Sequence, residues 1–440
     1  MIVSLFSKWK WRRGAPTALF TPHVAASTSE PFHVVATSVS EWPARVVAAS
    51  ASEWSPPAPL LRRLSFLTFL FFTSLAFLSP APAATPNPDP IKLGHFGSLT
   101  GKDAAFGVAT RKGILLAIEE LNAKGGLLGR PVEYLVEDIQ SKQGESATAV
   151  KKLISRDKVV AILGANASAN SLEAAPICQR AKIPMMAISS TAPRVTEIGD
   201  YIFRICFIDP FQGAVLAKFA HDSLDAKRLA LLTSINSPYS VGLSNVLRER
   251  FTALGGEVVA EQKFAEGDKD FRAQLTAIRG TNPDVIAATG FYTEAALISI
   301  QARSLGLDVP IIGGDGWEAP QLVELGGKSV ENTFYSTYFS AENTAPEVRS
   351  FVQRYRARWN NEVPEAVSAL GYDAVYLIAA AIEKTGTTDG PKLRDAIAAT
   401  KNFPGVTGRT TIDSKRNSEK AAVILTVKNG KTEFFEAVTP

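Results

Sequence analysis

Histidine and cysteine are scarce in this 440-residue chain, at four and two residues. Two cysteines cannot build a disulfide scaffold or a four-thiolate metal centre. Beyond residue 84 the only histidines are His95 and His221, and neither is spaced with a second ligand, which argues against a metal site. The sequence also lacks a G-x-G-x-x-G turn after its first apolar strand, where Gly94 is followed by His95-Phe96-Gly97. It has no G-x-x-x-x-G-K-[ST] phosphate loop and no G-x-S-x-G elbow. With no nucleophile–base pair and no cofactor loop, no cofactor is expected and an enzyme is the least favoured reading. No 20-residue apolar run marks a transmembrane helix. What the chain does have, 46% hydrophobic and 20% charged residues, excludes wholesale disorder, and its length suits two or three domains.

The formal charge of +4 hints at an anionic partner until it is located. Residues 1–84 hold seven basic and three acidic side chains, leaving 40 of each sign in residues 85–440. No nucleic-acid partner is therefore expected. Four of the six tryptophans, Trp9, Trp11, Trp42 and Trp54, also lie in this leader. Arg62-Arg63, the apolar stretch Leu64–Leu78 and Ala81-Pro82-Ala83-Ala84 have the three-part form of a secretory signal, so residues 61–84 read as a cleaved signal peptide of the general secretory route. A twin-arginine signal is the alternative. Residues 1–60 show neither helical nor strand period and read as a start assigned too far upstream or a disordered extension.

From Ile91 onward, short apolar runs alternate with amphipathic stretches, the βαβ text of a parallel sheet. Strands are predicted at 91–99, 132–138, 159–164, 185–189 and 201–206, then at 228–235, 258–264, 285–291 and 311–314. Helices are predicted between them, at 105–124, 144–156, 171–181, 212–224, 240–254, 270–279 and 293–305. A strand at 333–340, helices at 346–359 and 365–384, and a hairpin at 421–428 and 432–438 around Asn429-Gly430 complete the pattern. Two βα series in tandem imply an α/β fold of two Rossmann-like lobes with a cleft between them.

Doubly wound sheets bind ligands beyond the carboxyl ends of their strands, so those loops are the place to look for chemistry. In the first series, the loops Ala165–Ser171 and Ser189–Pro193 offer hydroxyls and free backbone N–H groups, which suit a carboxylate. The second series places Phe291 and Tyr292 at one strand end and Asp315 between Gly314 and Gly316 at the next. Donors on one side with an acid and aromatic faces on the other are what a zwitterion requires. His95 on the first strand reads as a satisfied core histidine and His221 as a solvated cation at a helix end. Cys178 and Cys206 sit in apolar contexts, and pairing is not expected.

Gly97-Ser98-Leu99-Thr100-Gly101, Phe106-Gly107, the run Leu121–Val132, Glu137-Asp138, Ile162-Leu163-Gly164, Ile183-Pro184, Thr191-Ala192-Pro193 and Phe203-Arg204 occur in one order and spacing. Through them the chain resembles the periplasmic binding proteins of ABC importers for branched-chain amino acids, from about Ile91 to its end. The resemblance implies a type I periplasmic binding fold, two lobes joined by three hinge crossovers and closing on a ligand. Lobe one is expected at residues 85–208 and 339–410, and lobe two at 209–338 with the hairpin of 411–440. The crossovers are expected near 205–209, 336–340 and 408–413. Carried over by position, Ser168, Ser189 and Thr191 would bind the ligand carboxylate and Asp315 its ammonium. Phe106, Tyr239 and Phe291, with Tyr292 adjacent, would line the side-chain pocket. The family partners would be an amino acid and an inner-membrane ABC permease, with the protein a periplasmic monomer. Phe106 and Phe291 fall where amino-acid binders often carry tyrosine, which keeps an amide, urea or aromatic carboxylate open as ligand. A sensory ligand-binding protein is the reading from another class.

Overall fold

The computed structural model describes residues 88–439, so the expected signal peptide and the segment before it lie outside the described residues. Five strands, β1 (Ile91–Gly97), β2 (Val132–Asp138), β3 (Ala161–Leu163), β4 (Met185–Ala187) and β5 (Ile202–Arg204), form a sheet of order β2-β1-β3-β4-β5. Every neighbour pair is parallel, with Ile91 opposite Val132 and Leu93 opposite Ala161. Parallel strands covered on both faces must be apolar throughout, and β3, β4 and β5 are buried at every position. The edge strand β2 is only half-buried beyond Val132.

The second series supplies β6 (Arg228–Ser234), β7 (Glu257–Phe264), β8 (Val285–Thr289), β9 (Ile311–Gly313) and β10 (Thr333–Thr337). Late in the chain come β11 (Phe403–Gly405), β12 (Gly408–Ile412) and β13 (Ser418–Glu419), then β14 (Ala422–Lys428) and β15 (Lys431–Val438). The last two join the second sheet as an antiparallel hairpin, giving the order β15-β14-β10-β9-β8-β6-β7. Strands β11 to β13 make a small antiparallel sheet of their own. This sheet corrects one expectation: residues 408–412, read as a crossover, are its central strand. The chain passes into the second sheet immediately afterwards, through Lys420 and Ala421.

Local chemistry accounts for the helix ends. Ser237 caps the helix Pro238–Ala253 by accepting from Ser240 N, with proline at the first helical position, where no N–H is needed. The helix Ala366–Thr385 stops at Gly386, which takes a left-handed φ of 63°. That helix is apolar and long enough for a membrane span, yet it is mostly buried and packs against the helix Ala104–Ala123. Its composition is therefore that of a core helix. His95 is buried with Nδ1 2.7 Å from the Tyr134 hydroxyl, the satisfied core histidine expected. Cys178 and Cys206 are both buried and unpaired.

Candidate functional site

Strand carboxyl ends of both sheets meet at one small cavity. Its walls are Phe106, Asn166, Ala167, Ser168, Ser189, Tyr239, Phe291, Asp315 and Gly316. The first-sheet side is a set of hydroxyls held in place from behind. Ser168 opens the helix Ser168–Ala181, and its Oγ accepts from Ala192 N at 3.2 Å, which leaves its O–H free to donate. Asn166 donates through Nδ2 to Ser189 Oγ at 3.1 Å and to Thr110 Oγ1 at 3.0 Å. Ser190 turns the other way and is consumed in the core, at 2.7 Å from Ser171 Oγ and 3.0 Å from Asn166 O.

Arg204 braces the loop after β4. It is fully buried, and its Nη1 donates to Ser190 O at 2.5 Å while Nη2 donates to Ala192 O at 2.8 Å. The loop after β1 is pinned by Asp138, whose Oδ1 accepts from Leu99 N at 2.9 Å and whose Oδ2 accepts from Thr100 Oγ1 at 2.6 Å. Fixing this loop fixes the start of the helix that carries Phe106.

Across the cavity, Asp315 sits in a turn after β9 where only glycines fit. A Cβ on Gly314 would lie 2.3 Å from the Tyr239 hydroxyl, and one on Gly316 would lie 2.6 Å from Gly290 O. The carboxylate accepts from Gln212 Nε2 at 2.8 Å and from the Tyr338 hydroxyl at 2.6 Å. Burial pushes the Asp315 carboxyl above its ordinary range, and donation from Tyr338, Gln212 and Tyr239 opposes that rise. Gln212 follows the chain's exit from the first sheet and Tyr338 follows β10. The acid is thus held by groups at two of the places where the chain changes sheets.

The rings close over this. Phe106 meets Phe291 edge-on at 5.9 Å between centroids and Tyr292 at 5.1 Å, and Tyr239 stacks on Phe291 at 5.7 Å. The Tyr292 hydroxyl donates to Lys102 O at 2.5 Å, and Lys102 Nζ lies 2.6 Å from Glu266 Oε2. The two sides are therefore joined by aromatic contact and by an ion pair at the rim.

Six of the eight expected residues, Phe106, Ser168, Ser189, Tyr239, Phe291 and Asp315, line the cavity. Two do not. Tyr292 packs behind Phe106 and bonds the rim. Thr191 is fully buried beside Asp209 and is absent from the walls. Residues that sequence reasoning passed over are Gln212 and Tyr338, and no local pattern announces either, because their meeting with Asp315 is purely tertiary. Asn166 lay within the flagged loop without being singled out.

The family model described as periplasmic binding protein matches residues 90–432. The chain belongs to the periplasmic binding protein family. Among solved structures, a leucine-binding protein LivK from Thermotoga maritima is 42% identical with a TM-score of 0.77, over 80% of this chain and 99% of that one. The substrate-binding protein LivJ of a branched-chain amino acid transporter from Streptococcus pneumoniae, in complex with isoleucine, is 36% identical with a TM-score of 0.76, over 80% and 100%. A leucine-, isoleucine-, valine-, threonine- and alanine-binding protein of Pseudomonas aeruginosa is 29% identical over 356 residues, which cover 80% of this chain and 92% of its own. This periplasmic binding protein is thus of the branched-chain amino acid type.

Proposed function

We propose that the protein is the extracytoplasmic solute-binding component of an ABC importer, capturing a branched-chain or related apolar amino acid and delivering it to a membrane permease. One observation carries the reading: hydroxyl donors and a buried acid face one another across a single cavity roofed by aromatic rings. Ser168 and Ser189 supply donors for a carboxylate, Asp315 receives an ammonium, and Phe106, Tyr239 and Phe291 surround an apolar side chain. The names of the relatives support the same ligand class.

Capture proceeds by closure. The open form takes the ligand on the first-sheet side, and rotation of the second lobe brings Asp315 and Phe291 over it. The lobes comprise residues 88–208 with 339–419, and 209–338 with the C-terminal hairpin. Ring contact between Phe106 and Phe291 and the Lys102–Glu266 pair hold the closed form. The protein acts as an exported monomer that binds and releases without chemistry.

A second reading has an observation in its favour. Phe106 and Phe291 present rings without hydroxyls, which suits an aromatic carboxylate in place of an amino acid. A thermal-shift screen of the protein against amino acids, amides and aromatic acids separates the two, since a ligand raises the melting temperature according to its concentration over Kd. Leucine, isoleucine or valine are expected to give the largest shifts. A shift with benzoate-type acids and none with any amino acid would overturn the proposal.

A further inference from the structure

Near Asp315 lies a group of buried oxygens without a well-formed hydrogen bond: Oγ1 of Thr191, both carboxyl oxygens of Asp209, and Oε1 of Gln212, the Thr191 hydroxyl lying close to the Asp209 carboxyl. All three residues are wholly excluded from solvent. Asp209 and Gln212 sit one turn apart at the start of the helix Asp209–Lys218, so both side chains leave the same face. Gln212 spends its Nε2 on Asp315, and a Cβ on Gly242 would lie 2.8 Å from Asp209 Oδ2. Asp209 is therefore buried on the helical face that also holds Asp315 through Gln212, with Gly242 packed against its Oδ2.

The groups facing Asp209 can be counted. Burial is the largest influence on its carboxyl and raises it to about 8; the Thr191 hydroxyl opposes that rise, the charge of Asp315 adds to it and the Arg204 guanidinium opposes it. Tyr239 and Cys206 are also near, and burial pushes both well above their ordinary values, so they stay neutral. Arg204 is the one cation among these neighbours, against two acids. Two adjacent buried carboxylates with a single cation repel, and one proton removes the conflict. An ammonium arriving at Asp315 brings a second positive charge, and that proton becomes surplus.

We propose that Asp209 is a positioning residue for the ligand ammonium, holding a proton while the cleft has no ammonium and releasing it to solvent when one binds. The O–H bond of the Asp209 carboxyl breaks, its electron pair stays on the carboxylate, and water or buffer takes the proton. Ionised Asp209 then strengthens the field at Asp315 and accepts the Thr191 hydroxyl. The inference rests on the amino-acid reading above. It implies that affinity for an amino acid rises with pH as Asp209 becomes easier to ionise, while affinity for the same molecule without its amino group does not.

Calorimetry of leucine binding to the full chain at pH 7.5, in phosphate and in Tris, tests this. The two buffers differ in ionisation enthalpy, so proton release makes the observed heats differ. The wild type is expected to show that difference. Asp209→Asn is expected to lose it and to bind leucine about tenfold more weakly, the equivalent of one pKa unit of electrostatic support. Thr191→Val, which removes the hydroxyl that stabilises the ionised form, is expected to move the release to higher pH. A melting curve confirms that each variant is folded, and the wild-type comparison alone decides the matter if Asp209→Asn does not fold. Equal heats in both buffers for a wild type that binds leucine would overturn the inference and leave the amino-acid reading standing, as would wild-type proton release by Asp209→Asn. A wild type that binds no amino acid in either buffer removes the reading and the inference together.

Discussion

Replacing Asp315 by asparagine removes one charge and almost no volume. In the native site the carboxylate takes two neutral donors, Gln212 Nε2 at 2.8 Å and the Tyr338 hydroxyl at 2.6 Å. An amide keeps one acceptor and turns an N–H group toward the other donor, so the pocket loses its negative charge and acquires a donor–donor conflict. The native acid is only 8% exposed, which leaves little water to replace it as partner of an ammonium. Breaking a buried pair from one side costs about 3–5 kcal/mol. In affinity that is about two to three and a half orders of magnitude. Calorimetry of leucine binding to Asp315→Asn reads this directly. The same substitution should leave 4-methylpentanoate, which is leucine without its amino group, unaffected or better bound. Unchanged leucine affinity would refute the ammonium role, and an equal loss for both ligands would show that the substitution had damaged the site as a whole.

Three further outcomes are expected. Ser168→Ala should weaken amino-acid binding by about 1.5–3 kcal/mol, the worth of a hydrogen bond to a charged group, as read by calorimetry with a melting curve as control. Lys102→Ala breaks a rim pair whose lysine is 38% exposed, so its loss should cost at most about 1 kcal/mol. It should appear as faster ligand release in stopped-flow experiments, with a larger effect at low salt. The third concerns pH. Burial raises Glu318 to about 8, against donation from Thr337 and from Ala366 N at 2.7 Å. A raised acid contributes full stability below its unfolded value of 4.5 and loses it progressively as pH climbs to about 8. Glu318→Gln presents the same acceptor to Ala366 and a donor to Thr337. By pH 8 it should therefore be more stable than the wild type by about 2–4 kcal/mol in urea melts, with no advantage at pH 4. An advantage that does not vary with pH would contradict the assignment.

The sequence carried the two βα series well because parallel strands covered on both faces must be apolar throughout. The predicted strand at 285–291, for example, is observed at Val285–Thr289, buried at all positions. Strand ends ran long where the following loop is also buried, as at Ser189 and Phe291. The small sheet at 403–419 went unread, since its strands are only two to five residues long and the first two carry proline or glycine. Its central strand had been taken for a hinge. The helix Gly390–Ala398 also escaped, although Asp389 caps it by accepting from Lys392 N. At the site, the cavity-lining residues were legible through loop position and resemblance together. A run of three hydroxyls does not say which ones face the cavity; of the three, Ser189 lines it and Thr191 is buried beside Asp209. Asp209, Gln212 and Tyr338 could not be seen at all. An aspartate before a proline reads as an ordinary helix start until the fold shows it buried against a second acid.

On the proposed reading, the cavity holds both ends of an amino acid. The most direct measurement is a calorimetric titration of the wild-type protein with leucine and, separately, with 4-methylpentanoate under the same conditions. Leucine is expected to bind, and removal of its amino group to weaken binding by at least about a hundredfold. Equal or tighter binding of the deaminated acid would contradict that reading.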